Sequence, residues 1–163
     1  MYDPASAVVG KAAVFEAMPE NPAVKALAGL ATDAKFDRDE LTITVAREQI
    51  VAACEAVKAA GYNFFEDCTA VDWYPQEPRF QITYHILSHS LKQRVRLVVQ
   101  LDSSDAAVDS ITGVWPAANF YEREVFDLFG VYFAGHPGLT RIMMPTDWEG
   151  HPLRKDYPVE GYR

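Results

Sequence analysis

The feature that most constrains the fold of this chain is a long alternation of apolar and polar residues near its middle. Apolar residues occupy every second position from Phe80 to Ile86, and a second alternating run extends from Leu91 to Leu101. A period of two is the pattern of a strand with one buried face. Because the turn-forming sequence Ser88-His89-Ser90 lies between the runs, we expect an antiparallel hairpin.

Helix and strand signals on either side extend this hairpin into a larger domain. Helices are predicted over residues 21–31, 47–60 and 116–129, and further strands over 41–45, 68–74 and 109–115. The predicted fold class is α+β, with a mainly antiparallel sheet of four or five strands and the first two helices on one of its faces. Residues 1–116 are predicted to form this body, and residues 117–163 a third helix and a long extended docking segment.

Composition and charge exclude several classes of partner. The chain has 163 residues, a formal net charge of −8 and a pI of about 4.9, so it is poorly suited to bind nucleic acid or anionic lipid by charge. No apolar run approaches the ~20 residues that cross a bilayer. The first residues show no signal-peptide pattern, so we expect the chain in the cytoplasm, with any membrane association through a partner.

The last third of the chain carries many large residues but little regular pattern, which suggests a segment that lies against something. The helix predicted at its start is apolar nearly all round and is therefore expected to be buried on more than one side. Pro116 at the first helical position, or Asn119 as a cap with Glu122 three residues on, are its two candidate starts.

Acidic residues cluster on the same helix, at Glu122, Glu124 and Asp127. Arg123 lies among them, four residues before Asp127, so we expect a salt bridge between these two on one helix face. Burial of the helix would make the cluster an ion-pair network at an interface, which fixes orientation more than it stabilises.

Histidines and cysteines offer weaker signals. His136 and His151 each precede a proline, and no third ligand lies at a telling distance, so turn or interface roles are favoured over a metal pair. Cys54 and Cys68 match no zinc or iron–sulfur spacing and are expected to be buried, reduced and inert.

Near the end of the chain, Arg154-Lys155-Asp156 lies between Pro152 and Pro158 and resembles a stiff binding strip. Prolines reduce the conformational entropy lost on docking. Arg154 is suited to a bidentate contact with a partner carboxylate, and the apolar neighbours Leu153 and Tyr157 argue against a solvated tail.

Three stretches together resemble a known family. Residues 115–130 read WPAANFYEREVFDLFG, Gly135-His136-Pro137 and Arg141-Ile142 follow, and residues 148–158 read WEGHPLRKDYP. This combination resembles the thirty-kilodalton subunit family of respiratory complex I, the NADH:quinone oxidoreductase, in its bacterial form.

The resemblance implies a non-catalytic structural subunit without a cofactor of its own. Flavin, iron–sulfur clusters and quinone would be held by partner subunits. The implied partners are the forty-nine-kilodalton quinone-site subunit and the terminal-cluster subunit, in a hetero-oligomer attached peripherally to the cytoplasmic side of the inner membrane. The residues expected to bind partners are Glu122, Arg123, Glu124, Asp127, His136, Arg141, Gly150, Pro152, Leu153, Arg154, Lys155, Asp156 and Tyr157.

Three alternatives stay open on the sequence. The first is the equivalent subunit of an energy-converting hydrogenase or of a ferredoxin-linked relative. The second, from a different class, is a stand-alone soluble metalloenzyme that uses His136, His151 and the acidic helix. The third is a free adaptor that binds its partner transiently.

Overall fold

The structure, a computed structural model, describes residues 7–161 of the chain. Its strands are β1 (Val8–Val9), β2 (Ala31–Asp37), β3 (Glu40–Val45), β4 (Phe64–Asp72), β5 (Phe80–Ser88), β6 (Gln93–Leu101), β7 (Ala107–Asp109) and β8 (Tyr132–Ala134). Its α-helices are α1 (Lys11–Ala17), α2 (Pro22–Leu27), α3 (Ile50–Ala59) and α4 (Ala118–Phe129).

The strands form a mixed sheet with the order β1-β2-β3-β6-β5-β4 and a separate pair, β7-β8. The α+β class is confirmed, but the main sheet has six strands among the described residues rather than four or five. It is also not wholly antiparallel, because β3 and β6 run parallel to each other, as do β7 and β8. The connection through α3 carries the chain from β3 to β4 at the far edge of the sheet, and the β4–β5 hairpin brings it back so that β6 lies beside β3.

The predicted central hairpin is confirmed. β5 and β6 pair antiparallel from Phe80 opposite Leu101 to Ser88 opposite Gln93. The strand predicted over 41–45 is confirmed as β3, and the one predicted over 68–74 is confirmed as β4, which begins at Phe64 and ends at Asp72.

Of the two helices predicted in the N-terminal half, one differs from the structure. The helix predicted over 21–31 ends at Leu27, and Ala31 already begins β2. The Asn21 side chain caps this helix by accepting hydrogen bonds from the N–H groups of Ala23 and Val24. The apolar residues 24, 27, 28 and 31 suggested a longer helix, but Ala31 instead pairs with Val45 in the sheet. The helix predicted over 47–60 is confirmed, with a 3₁₀ turn at Arg47–Gln49 before α3.

Helix α4 begins at Ala118, and neither predicted start is used. The N-cap residue is Ala117, whose side chain makes no capping bond, and Asn119 lies inside the helix. The Glu122 carboxylate is committed elsewhere, to Ser110 and Ile111, so it does not reach back to close a capping box. The strand predicted over 109–115 is wrong, because β7 ends at Asp109 and residues 111–114 form a turn.

One hydrophobic core joins the helices to the apolar face of the sheet. Its members include Val24 of α2, Val57 of α3, Val125 of α4, Ile82 of β5 and Leu97 of β6. The core contains residues from both sides of the predicted boundary at residue 116, and the division itself stays a prediction. Residues 135–161, named here the C-terminal segment, contain no helix or strand.

Leu97 provides the direct test of this core. It is fully buried in β6 and pairs with Ile43 across the parallel junction. We expect Leu97→Ala to lower the free energy of unfolding by about 2–5 kcal/mol, because it leaves a cavity in the centre of the sheet. Gln100→Ala, at an exposed position of the same strand, serves as control and should change it by less than about 0.5 kcal/mol. Equal effects in urea unfolding would contradict the assigned register.

Candidate partner-docking site

The carboxylate of Asp127, fully buried on α4, organises the start of the C-terminal segment. It accepts a hydrogen bond from Nη1 of Arg141 at 2.6 Å. Its other oxygen accepts bonds from three consecutive backbone N–H groups, those of Ile142, Met143 and Met144, at 2.7–2.9 Å. Burial acts to raise the pKa of Asp127, but these four bonds favour the charged form and the net pKa is lowered.

Arg141 extends this contact around a loop. Its guanidinium also donates to the backbone carbonyl of Asp127 and, through Nη2, to the carbonyls of Trp148 at 2.9 Å and Gly150 at 3.0 Å. One arginine therefore closes residues 141–150 into a loop against the end of α4. Carbonyls that lack a helix or strand partner are satisfied here by a side chain.

Arg123 has a different partner from the predicted one. The expected salt bridge to Asp127 is wrong, because the carboxylate of Asp127 is occupied by Arg141 and the backbone of residues 142–144. Arg123 instead donates from Nε to the carbonyl of Thr140 at 3.0 Å and from Nη2 to the carbonyl of Arg141 at 3.1 Å. Arg123 and Asp127, both on α4, thus hold the same part of the C-terminal segment, residues 140–144.

The C-terminal end of α4 is covered by the second half of the segment. Arg154 donates from Nε to the carbonyl of Phe129 at 2.5 Å, and the N–H of Leu153 donates to the carbonyl of Leu128 at 3.0 Å. A cation placed at the last carbonyls of a helix is favoured by its dipole. Gly130 has φ +73°, and a Cβ there would lie 2.5 Å from the side chains of Arg154 and His151, so glycine is required.

His151 completes the cover over α4. Its Nδ1 donates to the carbonyl of Asp127 at 2.9 Å, since a carbonyl can only accept. Burial, together with the positive charges of Arg154 and Arg141, lowers the pKa of His151. The imidazole is therefore held neutral, in the tautomer with its proton on Nδ1.

A second anchor joins the segment to the β4–β5 hairpin through Arg79. The guanidinium makes a bidentate bond to Asp72, with both nitrogen–oxygen distances 2.9 Å, and a second pair of bonds to Asp156 at 2.6 and 3.1 Å. Its planar faces meet the rings of Tyr74 and Phe80, each centroid 4.9 Å from the guanidinium carbon. Such a forked, stacked arrangement is specific to arginine.

The charges of this anchor are stabilised by one another. Burial acts to raise the pKa of Asp72, but bonds from Arg79 and from the N–H groups of Lys155 and Tyr74 lower it to about 2. Arg79 also lowers the pKa of Asp156, and the bond to Asp72, followed by that to Asp156, raises the pKa of Arg79. Both carboxylates stay ionised at neutral pH, so the anchor is fully formed there.

Glu122 belongs to a separate cluster at the other end of α4. Its carboxylate is fully buried and accepts bonds from the Ser110 hydroxyl at 2.6 Å and the Ile111 N–H at 2.7 Å. Burial raises the pKa of Glu122 to about 7. His136 lies 3.9 Å away, which is beyond hydrogen-bond distance. Its Nδ1 accepts from the Gly138 N–H, so its Nε2 carries the proton that bonds the Asn119 carbonyl.

The structure places the thirteen predicted site residues in two groups and leaves one apart. The first group lies along the C-terminal segment and on the part of α4 that the segment covers, and it comprises Arg123, Asp127, Arg141, Gly150, Pro152, Leu153, Arg154, Lys155, Asp156 and Tyr157. The second contains Glu122 and His136. Glu124 is exposed on α4. Their binding to partners stays a prediction, because the structure describes only their contacts within the chain.

Sequence reasoning missed Asp72 and Arg79, which together hold one end of the segment. A hairpin prediction would have placed them near each other, since the strands they flank pair at Asp72 and Phe80. Nothing in the sequence pairs either residue with Asp156, more than seventy positions away.

Apolar side chains point outward from the segment while its backbone is held. The exposed fractions are 62% for Met143, 48% for Leu153 and 39% for both Ile142 and Trp148. Large apolar groups at such exposure, clustered on a fixed backbone, are typical of a surface that a protein partner covers.

The described residues contain no group of three or more His, Cys, Asp or Glu side chains that could hold a metal ion. Cys54 and Cys68 are both buried and free, as predicted, and burial raises the pKa of each thiol. Within residues 7–161, no helix is long and apolar enough to span a bilayer.

Asp127→Asn tests the first anchor. The amide removes the charge that pairs with Arg141 and directs an N–H₂ group at backbone N–H donors, so we expect a loss of about 3 kcal/mol in unfolding free energy. Trypsin should cleave after Arg141 faster than in the wild type. Glu124→Gln, on an exposed position of the same helix, is the matched control. Wild-type stability and cleavage rate in Asp127→Asn would contradict the anchor.

Glu122→Gln tests the buried acid through pH dependence. The pKa of Glu122 is raised in the folded chain, so the folded state keeps a proton that the unfolded state releases between about pH 4.5 and pH 7. Wild-type stability relative to Glu122→Gln should therefore fall, on the order of 3 kcal/mol, as the pH rises through that window. Thermal unfolding across the window measures this, and a constant difference between the two proteins would contradict the raised pKa.

Comparison with curated proteins gives consistent matches over most of the chain. The chain is 48% identical over 131 residues to the C subunit of the NADH-quinone oxidoreductase of Geobacter sulfurreducens, covering 79% of this chain and 81% of that protein. It is 46% identical over 125 residues to the protein of the same name from Citrifermentans bemidjiense, covering 76% and 78% respectively.

Two solved structures share the fold. A trypsin-resistant fragment of Nqo5, residues 1–134, matches with a TM-score of 0.58 and 33% identity over 61% of this chain and 83% of that one. A chain of an archaeal membrane-bound sulfane sulfur reductase matches with a TM-score of 0.73 and 29% identity over 83% of this chain and 82% of that one. The family model described as respiratory-chain NADH dehydrogenase, 30 Kd subunit, matches residues 43–163. The chain belongs to this thirty-kilodalton subunit family of complex I.

Proposed function

We propose that this chain is a non-catalytic structural subunit of the quinone-reducing module of a proton-translocating NADH:quinone oxidoreductase. The C-terminal segment docks on the quinone-site subunit and on the terminal-cluster subunit and holds the two in register. The observation that carries the proposal is the segment itself, which fixes its backbone inside the chain and turns apolar side chains outward.

Preorganisation is the physical reason why this arrangement suits docking. The Asp127 anchor fixes the backbone on either side of Met143, and the Arg79 anchor fixes it on the far side of Leu153. The backbone has already lost its conformational entropy when these bonds form within the chain, so this entropy is not lost again on binding. The exposed Met143 and Leu153 side chains can then be buried by a partner at little further entropic cost.

The buried charges of the site support a structural role. Asp127, Asp72 and Arg79 each bond to groups of the same chain, and the direction of each pKa shift keeps them charged. A general acid or base instead needs a pKa near the working pH and a path to its substrate. Electron transfer depends on the positions of its cofactors, so holding cofactor-bearing subunits in place contributes to the reaction without chemistry in this chain.

The relatives bear on the electron donor of the whole assembly. Identity of 46–48% to NADH-quinone oxidoreductase subunits favours NADH and quinone as the substrates of the complex. A second candidate, the equivalent subunit of a complex with another electron donor or acceptor, is supported by the fold shared at 29% identity with the sulfane sulfur reductase chain. In either case we place the chain peripherally, on the cytoplasmic side of the membrane, attached through its partners.

Native-gel separation of detergent-solubilised membranes tests the proposal. An affinity tag on this chain should comigrate with a band of very high mass that stains for NADH dehydrogenase activity. A large tagged band without NADH activity would instead support the second candidate. A tag found only in a small soluble species would contradict docking and favour an independent enzyme or adaptor.

Substitution of Arg154 tests the docking segment. Arg154→Ala removes the bonds to the Phe129 and Gly130 carbonyls, so the segment should detach from the end of α4. We expect the amount of assembled complex to fall about tenfold, the scale of one interface hot spot, because the exposed side chains of the segment are then no longer held in place for the partner. Val9→Ser, an exposed apolar position on β1, is the control. A fully assembled, stable Arg154→Ala complex without turnover would contradict a structural role.

A further inference from the structure

The connection between β4 and β5, residues 73–78, is a closely bonded loop and is named here the aromatic loop. The Trp73 N–H donates to the Arg79 carbonyl at 2.8 Å, and the Gln76 N–H donates to the Trp73 carbonyl at 2.9 Å. The Glu77 carboxylate accepts bonds from the backbone N–H groups of Arg79 at 2.9 Å and Ser103 at 3.0 Å. The loop is therefore fixed from several sides.

This fixed loop presents two large aromatic rings to solvent. Trp73 is 48% exposed and Tyr74 is 51% exposed. The Arg79 guanidinium stacks on one face of the Tyr74 ring. Tryptophan and tyrosine are the side chains most enriched among residues that dominate protein–protein binding energy, and a rigid backbone lowers the cost of burying them.

The aromatic loop is joined to the C-terminal segment through shared buried groups. Asp72 accepts hydrogen bonds from the N–H of Tyr74 and from the N–H of Lys155, so one carboxylate holds both strips of chain. Arg79 likewise joins the two, because it stacks on Tyr74 of the loop and donates hydrogen bonds to Asp156 of the segment. Because the aromatic loop and the C-terminal segment share these buried groups, a partner that covers one of them lies beside the other.

We propose that the aromatic loop is a second contact point for the one partner subunit that covers residues 153–156 of the C-terminal segment, an inference that rests on the proposed function. The partner surface that fits it has an apolar pocket for the Trp73 and Tyr74 rings. Basic residues at the rim of that pocket would face the exposed Glu77. Complementary charges around an apolar centre fix the register of an interface.

The charge of the chain favours a protein partner over two other possible occupants of this surface, a membrane and a second copy of the chain. Tryptophan and tyrosine are favoured at membrane surfaces. The formal net charge of −8 would repel an anionic leaflet. The same charge opposes a second copy of this chain on this face.

Competition for assembly tests the proposal with the full chain. Cells that express a tagged wild-type chain and a variant under a second tag are solubilised, and the ratio of tags in the high-mass complex is measured. We expect Trp73→Ala to enter the complex about tenfold less than the wild type, as for the loss of one hot-spot aromatic. Trp73→Phe should retain most of the incorporation, because it keeps an apolar ring. Val9→Ala, at the opposite edge of the sheet, should compete equally.

Leu153→Ser separates failure of the inference from failure of the proposed function. Equal incorporation of Trp73→Ala with reduced incorporation of Leu153→Ser would overturn the second contact and leave docking intact. Equal incorporation of both would overturn docking as well. Thermal unfolding of each purified variant checks the fold. If Trp73→Ala proves unstable, its poor incorporation does not count by itself, and Trp73→Glu is used instead. A normally folded Trp73→Glu that fails to enter the complex would support the inference. Co-sedimentation of the wild type, but not Trp73→Ala, with zwitterionic or anionic vesicles would overturn it in favour of a membrane contact.

Discussion

A single buried carboxylate, that of Asp127, is the interaction on which the order of the C-terminal segment depends. The carboxylate is fully buried, so bulk water does not solvate it and its charge must be met by protein donors. Arg141 and three backbone N–H groups supply them, and all four come from the segment rather than from the helix that carries the acid. Helix and segment therefore satisfy each other, and neither is complete alone. The cost of burying the charge makes any other placement of residues 141–144 unfavourable.

The position of α4 explains why its sequence is apolar nearly all round. One side packs on the sheet, where Tyr121 meets the ring of Phe65, and another is covered by the segment, where His151 lies against Phe126. Burial on two sides would normally exclude charged residues, yet Glu122 and Asp127 are both fully buried. They differ in their partners: Asp127 meets a cation and stays ionised, whereas Glu122 meets a hydroxyl and a backbone N–H, and its pKa is raised.

The central hairpin, β3, α3 and α4 were predictable because each depends on local periodicity, and the period of two from Phe80 onward is the clearest case. The parallel pairing of β3 with β6 was not, since no local signal records which distant strand lies beside Leu41. For the site, acidic and basic residues were identified in the right regions, but their pairing was not. Helical spacing suggested Arg123 for Asp127, and the fold supplies Arg141 instead. Asp72 and Arg79 escaped notice because their role depends on a tertiary contact with Asp156.

The central claim is that the C-terminal segment is ordered by its own chain before any partner binds. Hydrogen–deuterium exchange of the isolated full-length chain at neutral pH tests it most directly, at the amides of Ile142, Met143 and Met144. These N–H groups donate to the Asp127 carboxylate, so they should exchange more slowly than an unstructured peptide by a factor on the order of 100 or more. Exchange at the unstructured rate, with the core amides of β6 still protected, would show that the segment becomes ordered only on assembly.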